Sequence, residues 1–339
     1  MATDPSTKIT TKLRIGIIGA GGIAQVSHLP NLTSLPNVEL AAVCDLNQGR
    51  AAVISQRFGI KHWYDEPERM LKKEHLDGVI ITTPTFTHLP LLQLACESGA
   101  HVLVEKPFAR NTAEARRMVE IAERTGKKLL VGMNHRFRND TTQLRNLLSQ
   151  RFIGDVISIR AGWLKQFGVW SRPQWFTDRR SAGGGVLMDL GVQMIDLVLY
   201  LMNFPTVVES ACSTSYNVLG LDVEDTAVAY SRFADGSSMT LNVSWASFAE
   251  KDTAFTMISG SHGEVSMNPL IVNIRQQEKV VTLNPYSHWD ETEAYRRSYF
   301  KELFHFTEVV AGKAEPVSTG GEAVQVLDLV ERLYNSAGH

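Results

Sequence analysis

Apolar residues cluster in short runs along the first third of the chain, and each run gives way to a spacing of about 3.6 residues. Leu13–Ile18 is the first, ending in Gly19-Ala20-Gly21-Gly22-Ile23-Ala24 and a helical pattern. Val38–Cys44, 78–82, His101–Glu105 and 128–133 repeat the theme, with helical patterns over 47–58, 87–98 and Thr112–Thr125 between them. Strand-length runs alternating with helices of three or four turns predict βαβ units and a parallel sheet.

The pattern changes near residue 135. Val156–Gln166, 207–216, Thr226–Phe233, 238–245 and 253–259 read as successive strands, and Asp235-Gly236 between two of them is a hairpin turn signal. Many neighbouring strands with few helices to cover them predict a sheet face in need of a partner. We therefore expect a flexible polar tail over 1–12 and two domains, 13–134 and 135–339. The fold class is α/β throughout.

Composition narrows the function classes. Hydrophobic residues make up 44% and charged residues 21%, ordinary for a soluble globular protein. A net charge of −2 supplies no basic field, which argues against nucleic acid and anionic membrane as partners. Cys44, Cys96 and Cys212 lack the spacing of a disulfide framework or zinc site and suit a reducing cytoplasm. The tail has no apolar segment of a signal peptide, and no run was expected to reach membrane-spanning length.

Gly19, Gly21 and Ala24 fill the G-x-G-x-x-A fingerprint at a strand-to-helix turn. Glycine there permits the tight turn and close backbone approach to a pyrophosphate, which the N–H groups around Gly22 and Ile23 would meet. Asp45 ends the second strand 26 positions after Gly19, near the roughly 20 expected of a ribose-binding acid. It favours NAD over NADP; capping of the next helix is the plainer role, and the two are compatible. Thr83, Pro84 and His88 follow the 78–82 run at the carboxyl edge, where the nicotinamide ribose would lie. Glu105-Lys106-Pro107 ends the next strand at the same edge. Lys106 there can meet a substrate hydroxyl, and Glu105 can pair with it or with ribose.

Gly183-Gly184-Gly185 opens a further helical pattern in which Asp189, Gln193 and Asp196 share a face. That face is expected to floor a polar pocket, with Asp196 the more structural of the three, binding backbone. Trp163, Lys165, Trp170, Arg172, Trp175 and Arg179 precede the glycines. Such a mixture suits sugar faces and anionic substituents, and equally suits core and surface packing.

These motifs occur in one order: the glycine fingerprint, Thr-Pro-x-x-x-His, Glu-Lys-Pro, Asn134-His135-Arg136-Phe137, the triple glycine before Asp189, and the closing segment 299–316. Together they resemble the Gfo/Idh/MocA family of nicotinamide-dependent oxidoreductases over essentially the whole chain. The resemblance implies that 13–134 is a dinucleotide-binding Rossmann domain and 135–339 a substrate-binding and oligomerisation domain, an α/β unit whose open, mostly antiparallel sheet packs against another subunit in a homodimer or homotetramer. It implies hydride transfer between NAD and a secondary alcohol or ketone of a sugar, cyclitol or sugar derivative. In the family the lysine and an Asp-x-x-x-His pair surround the reacting carbon; by position these are Lys106, Asp189 and residue 193, which here is glutamine. An amide cannot take a proton near neutral pH. Lys106, supported by Asp189, is the expected replacement, with His135, Tyr216 and His288 as further candidate bases. The substitution also leaves open a dinucleotide-sensing protein with a lapsed site, or a redox-neutral NAD-dependent glycosidase.

Overall fold

The computed structural model describes residues 12–168, 174–285 and 290–338. Its first six strands, β1 (Leu13–Ile18), β2 (Val38–Cys44), β3 (His62–Tyr64), β4 (Gly78–Ile81), β5 (His101–Glu105) and β6 (Leu129–Gly132), form one parallel sheet. Their spatial order, β3-β2-β1-β4-β5-β6, is that of a doubly wound dinucleotide-binding fold. The short strand β3 and the helix Pro67–Glu74 escape the hydrophobic pattern because three strand residues, two of them exposed, leave no periodicity to read.

Eight further strands make the second sheet: β7 (Val156–Gln166), β8 (Val207–Ser215), β9 (Thr226–Phe233), β10 (Ser238–Ser247), β11 (Thr253–Gly260), β12 (Gly263–Met267), β13 (Ile271–Gln276) and β14 (Lys279–Leu283). Only β7 and β10 run parallel; the other pairings are antiparallel. The turn at Asp235-Gly236 joins β9 to β10, with Gly236 at φ 89° and the Asp235 carboxylate accepting the Ser237 N–H. One face of the sheet buries Ile159, Ala229, Leu241 and Ile258 against the helix Val192–Leu201 and its neighbours. Residues in the opposite rows, including Val228, Tyr230, Phe255 and Met257, are exposed or half-buried.

A single hydrophobic cluster runs from Val79, Ile81, Val102 and Val104 in the first sheet to Ile159, Leu241 and Val243 in the second. The helix Gly320–Ser336 contributes Val326, Leu327, Val330 and Leu333 to it. On the other face of the first sheet, Ile15, Ile17, Ile80 and Leu103 pack with Leu303, Phe306 and Val309 of the helix Glu291–Val310. A division at residue 134 is therefore not a division of cores. The chain leaves the first sheet, builds the second, and returns to cover the first.

The stretch Arg179–Leu201 corrects one expectation, since by length and a mean hydropathy of 1.5 it could cross a membrane. Its apolar part is wholly buried inside the protein, as a core helix would be, and only the arginines at its start are exposed. Its entrance explains the triple glycine. Gly183 has φ 90°, a Cβ on Gly184 would lie 2.1 Å from the Tyr334 hydroxyl, and one on Gly185 would lie 2.2 Å from the Glu224 carbonyl oxygen. Overpacking of this kind costs about 1–3 kcal/mol. Gly185→Ala, which meets rigid backbone, should lower the melting temperature by several degrees in a thermal scan, whereas Gly22→Ala, which meets open space, should leave it unchanged.

Candidate active site

β1 delivers its chain to a turn that only glycine fits. Gly19 has φ 98°, and a Cβ there would sit 2.9 Å from the Thr82 carbonyl group and the Thr83 side chain. The Thr82 hydroxyl donates to the Gly19 carbonyl at 2.7 Å and fixes the turn against β4. A Cβ on Gly21 or Gly22 would meet nothing within 4 Å, so the protein's own packing does not require glycine at either. Their smoothness faces open space at the start of a helix whose first N–H groups have no intrahelical acceptor. Backbone of that shape and polarity fits the pyrophosphate of a dinucleotide. Ala24, wholly buried, lets the helix lie close on β1.

Asp45 stands at the end of β2, where its Oδ2 accepts the Ala20 N–H and its Oδ1 the Asn47 N–H, both at 2.9 Å. Asn47, not Asp45, caps the helix Gln48–Phe58 by accepting the Arg50 N–H. Two neighbours at the carboxyl edge have protein partners of their own. His88 is only 1% exposed, with its ring nitrogens 3.1 Å from the Phe108 carbonyl and 2.9 Å from that of Thr83, so it braces two loops. Burial moves its pKa down, against the opposing pull of those carbonyls. Glu105 pairs with neither the lysine side chain nor open ribose space. Its Oε1 lies 2.7 Å from His28 Nε2 and its Oε2 accepts the Lys106 main-chain N–H at 3.0 Å. Thr83 and Pro84 remain at the edge, the Thr83 hydroxyl bonded to that of Thr87 at 2.6 Å and the Pro84 carbonyl accepting from Thr87.

Lys106 reaches across to the second domain. Its Nζ donates to Asp189 Oδ1 at 2.8 Å, and Asp189 Oδ2 accepts the Trp245 indole N–H at 2.9 Å. Lys106 keeps 19% of its side chain exposed; Asp189 and Trp245 are buried. Burial alone would pull the Lys106 pKa down, but the carboxylate against it outweighs burial and moves it up. A small, half-open pocket lined by Thr85, Pro107, Phe176, Met188 and Asp189 lies beside the pair.

Asp189, Gln193 and Asp196 do not form one polar floor. A wider π turn over Leu187–Gly191 changes the angular register of the helix ahead of Val192. Gln193 is buried, and its amide donates back to the Asp189 carbonyl at 3.1 Å. Asp196 meets not backbone but the Arg136 guanidinium, at 2.9 Å and 2.5 Å, and Arg136 also donates to the Val317 carbonyl and to Glu322. Tyr216 lies past the end of β8 in the neighbourhood of Glu224 and Arg179. His288, Trp170 and Arg172 lie outside the described residues.

An aromatic wall borders the pair. His135 stacks on Trp163 with centroids 5.4 Å apart and meets Tyr295 edge-on at 6.4 Å, while Phe176 lies 5.5 Å from Trp245. Trp175 packs on Phe176, Arg179 lies over the Tyr334 ring, and Lys165 covers Trp163 while pairing with Asp252 at 2.7 Å. Trp245 and Tyr295 went unnoticed in the sequence because neither lies near a motif: one is an apolar position of β10, the other sits in the first turns of a C-terminal helix.

Residues 13–133 match the oxidoreductase family with an NAD-binding Rossmann fold, and residues 141–266 match the Gfo/Idh/MocA C-terminal domain. The chain belongs to the Gfo/Idh/MocA family. Among its relatives is the D-glucoside 3-dehydrogenase of Escherichia coli K12, 28% identical over 350 residues spanning 98% of this chain and 97% of that one. The myo-inositol 2-dehydrogenase of Thermotoga maritima is 26% identical, with 91% of each chain covered. GenD2 from gentamicin A biosynthesis, solved in complex with NAD, superposes with a TM-score of 0.84 at 25% identity over 100% of this chain and 97% of that one. Levoglucosan dehydrogenase, solved with NADH and levoglucosan, shares the fold with a TM-score of 0.87 over 97% of this chain and 98% of that one, at 20% identity. This family member is thus an NAD(P)-dependent oxidoreductase with a dinucleotide-binding Rossmann domain.

His135 supplies a pH signature. Burial first, then the positive charges of Arg138 and Lys106, push its pKa from 6.5 down to about 3, and its Nε2 is buried with no hydrogen-bond partner. As pH falls through 6.5 the unfolded chain takes up this proton before the folded one does. Stability is whole above 6.5 and is lost towards pH 3 at about 1.4 kcal/mol per unit. His135→Asn should flatten the fall of the urea midpoint between pH 6.5 and 4 by one proton's worth. An unchanged slope would count against a neutral buried ring.

Proposed function

We propose that this chain oxidises a secondary alcohol of a sugar, cyclitol or sugar derivative with NAD, or reduces the corresponding ketone, with Lys106 as the group that moves the proton. The Lys106–Asp189–Trp245 chain of hydrogen bonds, beside the glycine turn at the carboxyl edge of the first sheet, carries this reading. Gly19, Gly21, Gly22, Ile23, Ala24, Asp45, Thr83 and Pro84 would hold the dinucleotide. Bound NAD supplies the hydride acceptor. Lys106 as the free amine accepts the hydroxyl proton, and as the ammonium it returns a proton to the oxygen of a ketone. Asp189 keeps Nζ aimed and stabilises its charge, and Trp245 occupies the second carboxylate oxygen so that Asp189 cannot turn away.

Gln193 cannot share in proton transfer, and one of its two amide N–H groups bonds its own helix at the Asp189 carbonyl. It holds the helix that presents Asp189. The named relatives are dehydrogenases, which favours neither a lapsed sensor nor a redox-neutral glycosidase. Glucosides oxidised at C3 and cyclitols lead the substrate panel for the same reason. The open rows of the second sheet, with Val228, Tyr230, Phe255 and Met257, support a homo-oligomer through that face, and a cytoplasmic setting accords with three unpaired cysteines.

Absorbance of reduced nicotinamide, followed across glucosides, cyclitols, aldoses and sugar nucleotides, should reveal turnover that Lys106→Ala lowers by about 10²–10⁴-fold. Undiminished turnover in that variant would remove Lys106 from the reaction. Because the Lys106 pKa is displaced upward, alcohol oxidation should climb with pH into the alkaline range, whereas ketone reduction should hold at neutral pH and fall only there. Trp245→Phe keeps the ring but loses the N–H, leaving Asp189 with a stronger hold on the lysine proton. Its oxidation profile should shift to higher pH, and a profile superposable on the wild type would deny Trp245 this positioning role.

A further inference from the structure

The carboxylate that should read the adenosine ribose is already fully engaged by the chain itself. Asp45 Oδ2 accepts the Ala20 N–H and Oδ1 the Asn47 N–H, while Arg50 Nη1 lies 3.2 Å from Oδ2 and 3.4 Å from Oδ1. Two oxygens offer about four acceptor sites, so a ribose diol finds room only when Arg50 withdraws. Withdrawal is open to Arg50. Its side chain is 48% exposed against 9% for Asp45, and the two backbone N–H groups hold the carboxylate wherever the guanidinium goes. The other charges nearby are mostly acidic. Burial pushes the Cys44 thiol up to about 12, with Asp45, Asp65, Glu68 and Glu66 adding to the push. Arg69 faces Asp65 and Glu66, leaving Arg50 as the cation set against Asp45.

A bare carboxylate at this point repels a 2′-phosphate; a carboxylate paired with arginine does so far less. We propose that Arg50 chooses the dinucleotide in this chain: released from Asp45, its guanidinium takes the 2′-phosphate, so that NADP binds alongside NAD. Arginine suits the task because its planar fork matches a phosphate and its charge is permanent. With NAD the same side chain moves aside, and Asp45 turns its freed acceptor sites to the diol. The inference rests on dinucleotide binding alone and not on the identity of the substrate.

Fluorescence titration of NADH and of NADPH tests it without any substrate, using the full chain as wild type, Arg50→Ala, Asp45→Ser and the double variant. The wild type should bind both. Arg50→Ala should weaken NADPH by about 10–100-fold and change NADH by less than about threefold, as loss of a charge-assisted phosphate contact requires. Asp45→Ser should tighten NADPH, and the double variant should lose that gain. Equal effects of Arg50→Ala on the two dinucleotides, or a gain in Asp45→Ser that survives without Arg50, would overturn the proposal. Arg50 is half exposed, so its single variant decides the matter even where Asp45→Ser fails to fold. A wild type that binds neither dinucleotide would overturn the dinucleotide site itself, a result distinct from binding that ignores Arg50.

Discussion

An ammonium and a carboxylate 83 residues apart meet at 2.8 Å where two sheets come together, and much of the architecture answers the demands of that meeting. Charges withdrawn from water are tolerated only while both stay partnered. Asp189 must therefore arrive at the carboxyl edge of the first sheet with its second oxygen also satisfied. The triple glycine makes the arrival possible by letting the helix start in contact with Tyr334, Arg110 and the backbone at Glu224. Glu224 accepts the N–H groups of Gly185 and Leu187 and the Tyr334 hydroxyl, a buried anion at a helix N-terminus where the macrodipole favours it. Trp245 then closes the last vacancy from β10. Second-sheet register, helix entry and lysine orientation are thus one linked requirement.

The same helix is held a second time at a deeper level. Arg136 and Asp196 are each 1% exposed and joined by two hydrogen bonds, with Glu322 and the Val317 carbonyl taking the rest of the guanidinium. Glu322 also belongs to the capping box of the helix Gly320–Ser336. One arginine from the end of the first sheet consequently ties together the Asp189 helix and the C-terminal helix. Gln193 lies between the two ion pairs, on a helix fixed from both ends. A neutral amide there leaves the helix that presents Asp189 held in place and offers no group that titrates near neutral pH.

What could be read from the sequence was local or came in series. Gly19, Gly21 and Ala24 announce their turn because a strand, a glycine spacing and a helix are adjacent in the chain; alternation marked β7, β9 and β10 for the same reason. Lys106 and Asp189 were legible as types at the ends of recognisable elements, and the resemblance brought them together. Partners were not legible. Whether Glu105 faces ribose or His28, whether His88 faces solvent or two carbonyls, and whether Asp45 is free or held by Arg50 all depend on contacts made across the fold. The glycines of 183–185 are visible as a motif, but the close packing against Tyr334 that requires them cannot be seen 150 residues earlier. The π turn at Leu187–Gly191 has no sequence mark of its own, and it separates three side chains that regular helical spacing would place on one face.

The return of the helix Glu291–Val310 onto the first sheet also orders events during synthesis. Ile15, Ile17, Ile80 and Leu103 are made early, but Leu303, Phe306 and Val309, which close that face, leave the ribosome 200 residues after Leu103. Gly78 even keeps a space for the Phe306 ring, which a Cβ there would approach to 3.0 Å. The nascent dinucleotide domain therefore waits with one face only partly covered, by the helices that carry Leu29, Leu32 and Ile54, while the whole second sheet is translated. A chain stopped before residue 303 presents that apolar face to its surroundings, so holding chaperones and quality-control proteases have a built-in means of telling unfinished copies from finished ones.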